Sequence, residues 1–291
     1  MNNLSLIFDN YFQNTICYQG QKLLLTNPTI KHLIYSMYTD FKIDNVQLHC
    51  YGDLDNADLV ILYFNGSAFL PTCPRREIVN YVNLIKYIKC KTAVVSMSTG
   101  ELKYPDTMND YLKAYKYLRC KHKQVIFMGT SSGGLFSMSC IIKLIENNAP
   151  LPLGLVLISP YVNCEHKIPL NKNDFQQKSK EFYSTKLMKN IKKYCGCNDL
   201  SNPLISPSYY DFETWIPTLL FHAVGDVIVE PHIHNVINKI KNKRHTKIIL
   251  QNNVIHAWLC VTWYKTENYK GLKQISTWIE KLRKRRTIKC V

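Results

Sequence analysis

The sequence predicts an α/β domain in which a mostly parallel central sheet is covered by helices on both faces. Three observations predict it. Short apolar runs alternate with stretches of helical periodicity along most of the chain. One apolar run leads directly into Gly129-Thr130-Ser131-Ser132-Gly133, and a helical pattern starts at once behind it. The 291 residues, 46% of them hydrophobic, suffice to bury one large core.

The elements follow in order. Asn27-Pro28 has the form of a helix start, and Ile30, Leu33, Ile34, Met37, Tyr38 and Phe41 then recur at helical spacing. Residues 1–43 are therefore expected to form an N-terminal helical cap segment. Strands are expected at Val46–Cys50, Leu59–Phe64, Ala93–Met97, Val125–Met128, Leu153–Ile158, Thr218–Phe221 and Lys247–Leu250. Helical patterns lie between them, around Arg76–Lys89, Thr107–Leu118, Gly134–Glu146, Phe182–Tyr194 and Pro231–Ile240, with a last helix near Lys270–Arg283. Residues 44–291 are read as one domain. Its polar stretch from about 161 to 215 is read as an insertion that helps to cap a site.

Composition narrows the function classes. The net charge is +16, but the basic residues are spread along the chain except for one dense run, Lys281–Lys289. No zinc-finger, RNP-like or helix-turn-helix pattern accompanies them, so no specific nucleic-acid partner is expected. A solvated basic surface is expected instead, with no more than weak attraction to anionic surfaces. Eleven cysteines, an odd count without zinc-site spacing, read as free thiols, several of them in the core. Cys195-Gly196-Cys197 reads as a turn. The start lacks a basic-then-apolar leader and no run is long enough to span a bilayer, so a cytoplasmic protein is expected.

Chemistry concentrates at the strand–turn–helix around Ser131. A G-x-S-x-G turn this tight needs glycines on either side, and it lifts the serine hydroxyl above the sheet edge. The helix behind it aims free N–H groups and its positive dipole end at developing negative charge. A phosphate loop would end in Gly-Lys-Ser/Thr, which this one does not. A nucleophilic serine needs an imidazole to take its proton and a carboxylate to hold the imidazole's tautomer, in chain order serine, acid, histidine. His256 follows the last expected strand and precedes the final helix; Asp226 lies just past the end of the Thr218–Phe221 strand. Glu230, four residues on, is read as structural. The oxyanion donors would come from Ser132 and from the loop after Leu59–Phe64. His232 and His234 alternate without a third ligand close in sequence, so they are read as exposed imidazoles at a helix start. No metal and no cofactor are expected.

Asn65-Gly66-Ser67-Ala68-Phe69, Gly129-Thr130-Ser131-Ser132-Gly133-Gly134, Tyr104-Pro105 with Asp110, Ser159-Pro160, Asn202-Pro203, Gly225-Asp226 and His256-Ala257-Trp258 together resemble the α/β-hydrolase fold-3 esterases, the hormone-sensitive-lipase-like branch. The resemblance runs from about Asp58 to Lys270. It implies an α/β-hydrolase fold and a carboxylesterase or lipase-like serine hydrolase acting on short to medium acyl esters. Ser131, Asp226 and His256 would be catalytic; Ser67, Ala68 and Ser132 would form the oxyanion hole. An amidase or deacetylase of the same fold, or an inactive hydrolase-fold binding protein, are the alternatives. Asn65 stands where the family has histidine and Ser67 where it has glycine, so the Ser67 backbone must be one that a residue with Cβ tolerates.

Overall fold

The computed structural model describes residues 38–72, 87–122, 124–165, 176–226, 228–230, 232–260 and 265–288. Its strands are β1 Tyr38–Ile43, β2 Val46–Tyr51, β3 Leu59–Phe64, β4 Thr92–Met97, β5 Val125–Thr130, β6 Leu155–Ile158, β7 Thr218–Ala223 and β8 Lys247–Gln251. Its helices are α1 Asp106–Lys121, α2 Ser132–Glu146, α3 Gln176–Cys195, α4 His232–Ile240 and α5 Lys265–Ile288. Among the described residues the strands form one sheet in the order β1-β2-β4-β3-β5-β6-β7-β8. β1, β2 and β4 pair antiparallel, and β4 through β8 pair in parallel.

The continuous apolar strands have a simple cause: both faces of the sheet are covered, so both sides of a strand favour apolar residues. On β3, Val60, Leu62 and Phe64 belong to a core shared with Tyr111 and Leu118 of α1 and Phe136 of α2. Leu59, Ile61 and Tyr63 belong to a second core, closed by Ile275, Trp278 and Ile279 of α5. Each such side chain contributes about 1.5–3 kcal/mol when fully buried. The basic run from 281 lies on α5 as far as residue 288, and Leu282 within it is buried. No described helix is long and apolar enough to cross a membrane.

One element corrects the expectation. Tyr38–Ile43 is a strand, not the end of a helix, and it pairs with β2 across Asp44-Asn45, where Asp44 has φ 52°. Phe41 and Ile43 pack on the core while Asp40 and Lys42 are exposed, a period of two. Phe41 belongs to both patterns, at helical spacing behind Met37 and Tyr38 in sequence and at a period of two with Ile43, and the two-residue turn between the strands decides it. The rest of the N-terminal stripe, the Asn27-Pro28 start and most of the Arg76–Lys89 pattern lie outside the described residues. The Cys195–Cys197 stretch does turn: α3 ends at Cys195 and Gly196 has φ 60°. The eight described cysteines are all free thiols, and burial, with nearby Asp53 and Asp55, pushes that of Cys50 up to about 12.

Candidate active site

β5 and α2 meet with Ser131 as the single residue between them, at φ 52° and ψ −122°. That left-handed backbone costs roughly 1–3 kcal/mol for a residue with Cβ, and surrounding bonds hold it. Ser131 N donates to Ile158 O at 3.0 Å, while Gly134 N and Tyr161 N both donate to Ser131 O at 2.9 Å. The turn also needs Gly133, because a Cβ there would stand 2.0 Å from Phe64 O. Backbone on β3 cannot step aside without breaking the sheet. Gly133→Ala is therefore expected to destabilise the chain by about 3 kcal/mol, the upper range of overpacking. Urea unfolding measures it, and a midpoint equal to that of the unsubstituted chain refutes the close packing.

Two groups from distant loops converge on the serine. His256 Nε2 lies 2.8 Å from Ser131 Oγ, and His256 Nδ1 lies 2.7 Å from Asp226 Oδ2. Asp226 Oδ1 accepts from Ile228 N at 3.1 Å, so both carboxylate oxygens are engaged. The Asp226 side chain is 1% exposed and that of His256 10%, which leaves the line of bonds largely shielded from water. Parallel β5, β6, β7 and β8 bring this about, since the loops after β5, β7 and β8 leave the sheet at one edge. Such an arrangement can move the serine proton to the imidazole while the buried carboxylate fixes its tautomer.

The sequence profile of the α/β-hydrolase fold-3 family, described as an alpha/beta hydrolase fold, matches residues 61–260. The chain belongs to this family. A versiconal hemiacetal acetate esterase from Aspergillus parasiticus is 25% identical over 138 residues, 45% of this chain and 43% of that protein. The matched stretch thus spans less than half of that esterase. In fold, this α/β-hydrolase resembles the crystal structure of a hormone-sensitive lipase from a metagenome library, with a TM-score of 0.73 at 19% identity over 96% of this chain and 95% of that one. An esterase/lipase from an uncultured bacterium gives a TM-score of 0.71 at 14% identity, covering 91% and 98%.

The loop after β3 lies against the elbow of this α/β-hydrolase: a Cβ on Gly66 would come within 3.2 Å of Ser131 Cβ. Ser67 escapes the left-handed region, which falls instead on Ala68 (φ 51°) and Phe69 (φ 62°). The backbone that a glycine would ease is thus displaced by one residue. Phe69 anchors the loop among Phe136, Tyr161 and Tyr194, at centroid separations of 5.7, 5.5 and 5.3 Å. Ser67 N donates to Ser132 Oγ at 3.0 Å, so the first amide of the loop faces a hydroxyl from the elbow helix. Asn65 is buried beside it.

Several residues that position the site carry no sequence signal of that role. Ser159, at φ 41°, accepts the Ala257 N–H at 3.0 Å and so fixes the peptide next to His256. Asn190 of α3 donates to Ala68 O at 3.0 Å and ties the 161–215 stretch to the loop. Glu230 stays out of the serine line: its Oε1 lies 3.1 Å from Gly225 N and 3.2 Å from His222 Nε2. It braces the turn that carries Asp226. Burial, opposed by the Glu230 contact, holds the His222 imidazole below its ordinary value. His232, expected to be exposed, is half-buried, with Nδ1 at 3.3 Å from Asn163 Nδ2.

Proposed function

We propose that the chain is a carboxylesterase that hydrolyses short to medium acyl esters through an acyl-enzyme on Ser131. The observation that carries this reading is the unbroken hydrogen-bonded line from Ser131 Oγ through His256 to Asp226, at 2.8 and 2.7 Å. Ser131 Oγ attacks the ester carbonyl while His256 Nε2 takes its proton, and Asp226 stabilises the imidazolium. The tetrahedral oxyanion is met by the amides of Ser67, Ala68 and Ser132. An oxyanion approaching Ser67 N–H competes with Ser132 Oγ, so that donor must be released as charge develops. His256 then protonates the leaving alcohol. A water, deprotonated by the same imidazole, cleaves the acyl-enzyme and restores Ser131.

The family membership supports the reaction class, and the name of the Aspergillus relative describes an esterase of an acetate. Asn190 of α3 reaches the loop at Ala68, in keeping with a cap made by the 161–215 stretch. The test is covalent. A fluorophosphonate probe is expected to label Ser131, located by peptide mass spectrometry, and to abolish p-nitrophenyl butyrate hydrolysis in proportion to labelling. A probe that leaves Ser131 unmodified favours a binding protein on a hydrolase fold and removes the proposal.

A further inference from the structure

We propose that His222, Glu230 and His234 form a binding site for a divalent transition-metal ion, Zn²⁺ being the best fit, beside the turn that carries Asp226. One ligand atom from each of the three lies within 4.8 Å of the others. His222 Nε2 is 3.2 Å and His234 Nε2 is 3.4 Å from the same carboxylate oxygen, Glu230 Oε1. Zinc bonds to imidazole nitrogen and carboxylate oxygen at about 2.0–2.2 Å, so adjacent donors of a tetrahedral site stand roughly 3.3–3.5 Å apart. The observed separations are those of two edges of such a tetrahedron.

Hydrogen bonding alone crowds this oxygen. Gly225 N also donates to Glu230 Oε1, at 3.1 Å, so three nitrogens crowd one oxygen, with His234 Nε2 there at ion-pair distance only. An ion would replace the two imidazole contacts with coordinate bonds and leave the Gly225 contact in place. The His222 ring is fully buried, whereas Glu230 is 30% and His234 52% exposed. The ion thus has a buried anchor, an entry path and room for a water as fourth ligand. Two nitrogens with one oxygen suit zinc, cobalt or nickel and disfavour calcium or magnesium, which take oxygen sets.

The three ligands come from β7, from the turn after it and from α4. A bound ion would therefore cross-link the two elements flanking Asp226. It plays no part in the acyl-transfer steps, whose line runs from the other side of Asp226 to His256. Coordination through Nε2 places the His222 proton on Nδ1, which is buried without a hydrogen-bond partner among the described residues. Metal-bound histidines ordinarily donate that proton. The expected ion is accordingly an exchangeable one.

Titration of the full-length chain with Co²⁺, followed by Zn²⁺ displacement, tests the site. One equivalent of Co²⁺ is expected to give the visible bands of four-coordinate cobalt without thiolate charge transfer, and Zn²⁺ is expected to raise the thermal midpoint. His234→Ala, at an exposed position, should leave the metal-free melt unchanged and abolish both effects. Its affinity loss should exceed the roughly 10- to 100-fold that loss of an outer partner costs. His256→Ala should keep them. Thiolate bands, retention of the signal in His234→Ala, or its loss in His256→Ala would each overturn the proposal, since the ion would then sit on cysteines or at the serine site.

Discussion

Replacing Ser131 by alanine is expected to lower kcat for p-nitrophenyl butyrate by about 10⁴- to 10⁶-fold, to the level that oriented binding alone supports. The change removes one oxygen. It leaves the backbone bonds that hold the elbow, those of Ser131 N to Ile158 O and of Gly134 N and Tyr161 N to Ser131 O. The folded state should therefore survive, so activity and stability separate cleanly. His256 would keep its Asp226 contact at 2.7 Å and lose only the contact at 2.8 Å. Activity within tenfold of the unsubstituted chain, in protein shown pure by mass, would assign the chemistry to a different residue.

Asp226→Asn is expected to cost about 10⁴-fold in kcat with little change in KM. Asparagine has the same shape and can still accept from Ile228 N through its carbonyl, as Asp226 Oδ1 does at 3.1 Å. What changes is the partner it offers to His256 Nδ1. A carboxylate accepts the Nδ1 proton and leaves the Nε2 lone pair facing Ser131. An amide can turn its NH₂ toward Nδ1 and favour the tautomer whose Nε2 already carries a proton, which cannot take another from the serine. The charge that offsets the imidazolium also goes. Steady-state kinetics with the same ester measures both parameters. A loss below tenfold would shift the acid role to Glu230, the other carboxylate on this turn.

The strands were legible because burial on both faces imposes a composition that no exposed segment shares. β3 is the clear case, with six apolar residues in a row and none exposed. β1 was not legible as a strand, since Phe41 fits helical spacing behind Met37 and Tyr38 as well as a period of two with Ile43, and an edge strand carries only half a pattern. At the candidate site, Ser131, Asp226 and His256 could be named because each sits where a strand ends or a glycine punctuates the turn. Ser159 and Asn190 could not be named in their positioning roles, because a hydroxyl or amide that supports a backbone group has no spacing of its own. The His222, Glu230 and His234 group was hidden for a related reason. Its first member sits inside an apolar strand, where a lone histidine reads as packing, and the alternation of His232 with His234 points to the wrong pair.

The bond from Asn190 to the Ala68 carbonyl, 3.0 Å long, makes α3 and the peptide planes of the loop after β3 one mechanical part. A guest molecule that pushes on α3 also tilts those planes, to which the transition state is far more sensitive than the docked ester. On the proposed acyl-transfer reading, discrimination among acyl groups is therefore expected in turnover speed, with ground-state affinity nearly flat across a series.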